Sequence, residues 1–360
     1  MTGVNPSALL ASAQAAGGRI VGYHELQLVR HFGDPATEYL SATRAAAVFD
    51  RSHRARMHVA GREPARMLEG ILTGVIPGAP TRPTEGVLAG AATYHAVLTH
   101  KGKMVTDLRC YCIGDERGER FLLDVPVAGA AGLRAHLARF LPPRFARVED
   151  VSATTAAISV TGPEAAPLLS RLALGLRVEA GELSGLAEGE WRALGDRATE
   201  TLVVARSADV WPEAYDVLGP PGPVVALWSE LRRSGATPAG LGVWTTLRVE
   251  AGRPAFGTDM DESTIPVEAN IDDRAIDHTK GCYTGQEVIV RIRDRGHVNR
   301  KLTLLHLGDV PTPGKGTELF VGGEERAAAV VTSAVSSPRF EETIALAYVR
   351  RGVEGTPRPR

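Results

Sequence analysis

Lys280-Gly281-Cys282-Tyr283-Thr284-Gly285-Gln286-Glu287 is the most distinctive run in the chain. Two glycines bracket a cysteine, an aromatic ring and a hydroxyl side chain, and glycine serves where a backbone turns tightly or approaches another group closely. Cations crowd the same stretch of sequence: His278, Lys280, Arg291, Arg293, Arg295 and His297. Gathered around the sulfur, they would favour its thiolate form. The other reading of Cys282 is a small side chain buried in a tight turn. Just beyond, Arg291, Arg293 and Arg295 alternate with Ile292 and Asp294. In an extended conformation the three would share one face. Such a row suits a carboxylate or phosphate, or a solvated strand edge.

Upstream of this run, Pro266 opens a further helix, since its missing N–H costs little there. Downstream, from Asn299, the texture changes. Leu302–Leu307, Glu318–Leu319, Ala327–Val335 and Thr343–Val349 are short apolar or alternating runs separated by Gly and Pro, which predicts a small antiparallel barrel. Toward the N-terminus, Tyr23–Arg30 reads as a strand, Pro35–Val48 as a helix, 55–60 as a strand and Glu63–Thr73 as a helix. Tyr94–Leu98 and Met104–Ile113 read as two strands joined by a turn at Gly102. Phe121–Val125 is a strand, Ala128–Phe140 a helix, and 145–160 one or two strands. The helices Ala165–Ala173, Val224–Ser234 and Gly240–Glu250 follow, with strands at Leu202–Arg206 and Tyr215–Leu218. Segment 175–240 is otherwise the least legible.

With 360 residues the chain is long enough for two or three domains. Lys plus Arg number 41 and Asp plus Glu 42, so overall charge offers no argument for nucleic acid or an anionic membrane. No apolar stretch reaches the roughly 18 residues of a membrane span. The first twenty residues are Ala-rich without a preceding basic region, and do not read as a signal peptide. Three cysteines, Cys110, Cys112 and Cys282, do not make a disulfide scaffold, and a reducing, cytoplasmic setting is the simpler expectation. On a strand, Cys110 and Cys112 would face one side with Leu108 as small core residues. With no second cysteine pair they give no metal site. Runs for phosphate loops, dinucleotide binding and serine nucleophiles are missing.

The run 280–287, followed by Val288 through Asn299, resembles the signature of the YgfZ-type proteins, which are relatives of the glycine-cleavage T-protein. Ala45–Val59, Lys101–Leu108, Gly162–Glu164 and Leu247–Pro266 are similar to the layout of that superfamily. The resemblance spans most of 20–350 and is weak in detail between 175 and 235. It implies an α+β fold of three domains around a central opening, with a small C-terminal antiparallel β-barrel. Residues 1–50 and 151–240 would form the first, folate-binding domain. Residues 51–150 would form an inserted second domain, 241–298 a connecting segment with the Cys282 signature, and 299–354 the barrel.

The implied ligand is tetrahydrofolate or a one-carbon-substituted derivative. Asp107, in Gly102-Lys103-Met104-Val105-Thr106-Asp107-Leu108, matches the acid that faces the reacting nitrogen of folate. The T-protein commonly pairs acids there, whereas Thr106 precedes Asp107 here. From the residues alone, Asp107 reads equally well as a proton-handling group or as a carboxylate bonded to backbone. Glu213, in Asp209–Tyr215, corresponds to a pterin-binding glutamate, although the family's glycines are absent. Arg248 lies in a matched stretch and Trp211 lies near Glu213. Both are candidate folate contacts.

Members with the Cys282 signature assist the assembly or repair of iron–sulfur enzymes, including those that modify transfer RNA. The resemblance therefore implies a folate-binding accessory protein with iron–sulfur clients, acting as a monomer with Cys282 near the rim of the opening. It leaves open whether any reaction is catalysed. The alternatives are a tetrahydrofolate-dependent aminomethyltransferase or demethylase, and a scaffold that has lost folate binding.

Overall fold

The computed structural model describes residues 7–359 apart from 25, 115–117, 196, 199, 213, 323 and 324. Its organising element is the twelve-residue strand Val87–Leu98. The first part of this strand, through Ala91, pairs with Glu190–Leu194. From Ala92 onward it pairs with Met104–Cys112. One continuous hydrogen-bonded path is thereby shared by two packed regions. On one side the path continues through Val203–Ser207, Ala214–Gly219, Ala156–Thr161 and Ala47–Asp50, and on the other through Arg120–Val125, Ala55–Gly61 and Ala146–Asp150.

Each region buries one sheet face under helices. Pro221–Arg233 covers the first, placing Val224, Leu227, Trp228 and Leu231 against Ile158, Val160 and Val217. These apolar positions recur every three or four residues and so form one helical stripe. Val127–Phe140 covers the second, with Leu133 and Leu137 against Leu108, Cys110 and Cys112. Both cysteines are therefore core residues on the Leu108 side of the strand, and burial pushes their thiol pKa values up. Contact is closest at Gly129, where a Cβ would stand 2.4 Å from the Cβ of Thr106. Only glycine lets the helix backbone approach the strand that carries Asp107.

Helix Pro35–Arg44 is started by Asp34, whose carboxylate accepts from the N–H groups of Ala36 and Thr37, with Pro35 in the first turn. The Glu38 carboxylate on this helix is buried and accepts from the N–H groups of Phe32 and Gly240 at 2.6 and 2.9 Å. It thus fixes the start of helix Leu241–Glu250. The C-terminal sheet is antiparallel, in the order Arg300–Gly308, Glu342–Arg350, Ala329–Ser337, Glu318–Leu319, and curls into a half-barrel. Asp259 ties it to the centre, accepting from Thr332 and Ser333 hydroxyls at 2.6 Å each and from Arg248 at 2.6 Å. No helix among the described residues is long and apolar enough to cross a membrane.

Several local expectations change. The helix read over Pro35–Val48 ends at Arg44 and Val48 lies on strand Ala47–Asp50, while a turn at His24 parts strands Arg19–Tyr23 and Leu26–His31. Pro266 starts a series of turns, and the next helix is Asp272–Ala275. The alternating arginines lie on helix Gln286–Arg295. A period of two loses to the apolar pair Ile289 and Ile292, which are three apart and share a helical face. Arg291 and Arg295 therefore neighbour each other, Arg293 points away from them, and the expected three-arginine row does not exist.

Candidate active site

A cavity of about 320 Å3 opens where the shared strand, helix Leu241–Glu250 and the edge of the C-terminal sheet at Ser333 and Ala334 converge. The strand register explains its polar wall. Tyr94 stands opposite Arg109, and Ala96 opposite Asp107. Tyr94 and Asp107 are thus diagonal neighbours on one face, within reach of a long side chain. The Tyr94 hydroxyl donates to Asp107 Oδ2 at 2.7 Å. Asp107 is 7% exposed, and its Oδ1 has no partner. Burial pushes the Asp107 carboxyl pKa up, against the opposing pull of Tyr94 and Arg54. Burial also holds the Tyr94 hydroxyl in its protonated, donating form. A carboxyl fixed by one oxygen and open at the other can exchange a proton with an N–H in the cavity.

Four charged groups brace this wall. Arg109 donates to Asp209 at 2.6 Å and to Glu188 at 3.1 Å, and Arg274 bonds to Glu188 and reaches Asp209 at 3.5 Å. Burial alone would push Asp209 up, but Arg109 and Arg274 outweigh it and hold this carboxyl well below the usual range. Arg274 also stacks on the Tyr94 ring, 4.7 Å from its centroid. Arg54 is taken by Asp124, which also pairs with Arg56 at 3.3 Å. His53 is buried, and desolvation together with Arg51, Arg54 and Arg56 keeps it neutral.

Of the arginines that line the cavity, Arg51 and Arg253 lack a carboxylate partner among the described residues. Arg51 lies over the Trp244 ring at 3.9 Å, and Arg253 donates to the Ala208 carbonyl at 2.9 Å. Burial lowers the pKa of both, which marks cations taken from water without full compensation. With Trp244, Tyr94 and Phe256 as flat walls, the cavity suits a planar, hydrogen-bonding ring with an anionic extension. Asp107's orphaned Oδ1 and the two guanidiniums without a carboxylate partner fit a folate.

The residues singled out from sequence divide among several places. Asp107 and Arg248 line the cavity, but Arg248 is consumed by Asp259, Ser333 and the Arg253 carbonyl at 2.6–2.9 Å. It acts there as a clamp between segments. Trp211 does not line this cavity. It borders a neighbouring groove of about 520 Å3 that shares Arg253 with the cavity, and it is stacked under Arg339 at 3.9 Å. Glu213 lies outside the described residues.

Cys282 is exposed and is not among the residues that line the cavity. The Lys280 ammonium donates to the carbonyls of Glu69, Leu72 and Gly74 at 2.9, 2.6 and 3.0 Å, so its donors are spent on backbone. Tyr283 is buried, with its hydroxyl pKa pushed up to about 12 by desolvation. Gly285 sits at φ 88° with Thr99 O 2.5 Å from where a Cβ would be. Gln286 and Glu287 start the helix, where Glu287 complements the N-terminal dipole, and Gly281 is exposed. Sequence reasoning missed Tyr94, Arg253, Arg274 and the pairing role of Asp209, because none has a local pattern. Among the described residues no group of three or more His, Cys, Asp or Glu is placed to hold a metal ion.

Fold and cavity together define a T-protein-like α+β molecule. The solved structure of glycine cleavage system aminomethyltransferase T from Bartonella henselae superimposes with a TM-score of 0.81 over 98% of this chain and 92% of that one, at 21% identity. The family model described as the GCVT N-terminal domain matches residues 9–280. An aminomethyltransferase of Rubrobacter xylanophilus is 32% identical over 343 residues, covering 95% of this chain and 86% of that protein. One of Corynebacterium jeikeium is 27% identical over 366 residues, covering 98% and 90%. The chain belongs to the GCVT aminomethyltransferase family.

Proposed function

We propose that this protein binds a reduced folate in the central cavity and carries out folate-dependent one-carbon transfer, of the aminomethyltransferase or demethylase kind. The observation that carries the reading is Asp107, a buried carboxyl fixed through Oδ2 with Oδ1 unpartnered in the cavity. Kinship to proteins named aminomethyltransferases over nearly the whole chain supports it. Tetrahydrofolate, when bound, supplies the nitrogens that take up a one-carbon unit. The chain's part is to position and protonate. Tyr94 holds the Asp107 rotamer, and the raised pKa lets the carboxyl keep a proton above the ordinary carboxylate range and deliver it at Oδ1. Arg51 and Arg253 offer charge-assisted hydrogen bonds to carboxylates.

A second reading, the YgfZ-type accessory role toward iron–sulfur enzymes, is favoured by the exposed Cys282 in its eight-residue setting. A thiol at the surface is available to a protein partner. The experiment that separates the two is a one-carbon transfer assay with tetrahydrofolate and an aminomethylated carrier or methylated amine. It is run beside growth complementation of a loss strain by Cys282→Ala. Turnover that needs Asp107 but not Cys282 supports the transferase. Absent turnover, with complementation that needs Cys282, supports the accessory role.

A further inference from the structure

Behind the Cys282 loop lies a second cavity, of about 450 Å3, between helix Gln286–Arg295 and the paired strands Arg300–Gly308 and Glu342–Arg350. It shares no lining residue with the central cavity. Its floor is apolar, formed by Val267, Ile289, Ile292, Val298 and Val349. Its rim is basic. Arg293, Lys301 and Arg351 line it and are exposed, with the imidazoles of His278 and His297 beside them, against one acid, Asp272. This concentration stands out in a chain whose net charge is −1.

Some of the basic side chains are committed. Arg300 is tied to Glu268 at 3.3 Å and Arg293 to its neighbour Asp294 at 2.6 Å. Among the described residues, neither Lys301 nor Arg351 has a side-chain hydrogen bond or ion pair, and the carboxyl of Asp272, which feels Lys301, is the one acid lining the groove.

We infer that this groove docks an acidic segment of a partner protein, with apolar side chains seated on the Ile289–Ile292 floor and carboxylates meeting Lys301 and Arg351. The apolar floor favours a peptide over a bare polyanion. Apart from the two imidazoles no aromatic ring lines the groove. A single-stranded nucleic acid would lack its stacking platform. The docked segment would lie on the helix that follows Cys282, bringing a partner to the exposed thiol whichever reading of the central cavity holds.

The test uses the full chain and a fluorescent synthetic peptide of leucines flanked by glutamates, followed by anisotropy. Saturable binding is expected. Lys301→Glu combined with Arg351→Glu should weaken it by at least about tenfold, while Arg232→Glu, on the exposed end of a distant helix, leaves it unchanged. A peptide with serine in place of leucine should also bind about tenfold more weakly. Absence of saturable binding would overturn the proposal, as would indifference to the double reversal or equal binding of the serine peptide. Displacement of the peptide by an oligothymidylate of equal charge at lower concentration would overturn it in favour of nucleic acid.

Discussion

The central cavity and the Cys282 loop are built on opposite plans. The loop is contiguous, and most of its side chains are structural. Lys280 grips three carbonyls, Tyr283 is buried and Gly285 is pressed against the 99–102 turn. Together they present a single exposed thiol. The cavity gathers residues as distant as Tyr23 and Ala334, and almost every polar group there is paired or pointed at the same space. A compact motif thus records how a loop is held. The cavity instead depends on the convergence of scattered residues.

The sharpest way to break this contrast is to cut each region separately. Asp107→Ala should lower the one-carbon transfer rate about 10²–10⁴-fold, whereas Cys282→Ala should leave it within about twofold, both measured as kcat at saturating folate. Equal losses would show that the loop takes part in the cavity's reaction.

Next in size is the anion contact. Arg51→Ala or Arg253→Ala should each weaken folate binding by roughly 1.5–3 kcal/mol, seen by calorimetry as a tenfold or greater rise in Kd. A variant that binds unchanged would remove that guanidinium from the site. Within the loop, Gly285→Ala places a Cβ 2.5 Å from Thr99 O at positive φ. It should cost about 1–3 kcal/mol in denaturant unfolding. It should also change the alkylation rate of Cys282, the one cysteine that reacts under native conditions, with Cys110 and Cys112 buried.

The smallest expected effect is on stability against pH. The folded pKa of Asp107 lies above its unfolded value near 3.9. The native state therefore binds the extra proton between those two values. Its stability falls as pH rises through that window. Asp107→Asn should be more stable than the native protein at neutral pH, and the advantage should vanish below the unfolded pKa. Thermal melts across pH would show it, and an advantage independent of pH would point to packing instead.

Legibility from sequence followed the same divide. The C-terminal sheet was readable because Leu302–Leu307 and Thr343–Val349 carry their own strand pattern between Gly and Pro breaks. Strand Glu190–Leu194 was not, since five residues between Gly189 and Gly195 give only two buried positions, Trp191 and Ala193. The arginine alternation at 291–295 misled because five residues fit a period of two as well as a helix, until Ile289 is seen to be buried. In the site, Asp107 could be singled out because Gly102–Leu108 resembles the matching segment of the T-protein. Tyr94, Arg253 and Arg274 could not, because register and tertiary packing bring them to the cavity that Asp107 lines.

The most direct measurement is an anaerobic calorimetric titration of the native protein with tetrahydrofolate beside Asp107→Asn, whose fold should be at least as stable. Saturable binding by the native chain, weakened by the substitution, is the expected result. No binding by the native protein at millimolar folate, or binding indifferent to Asp107, would contradict the assignment of the central cavity.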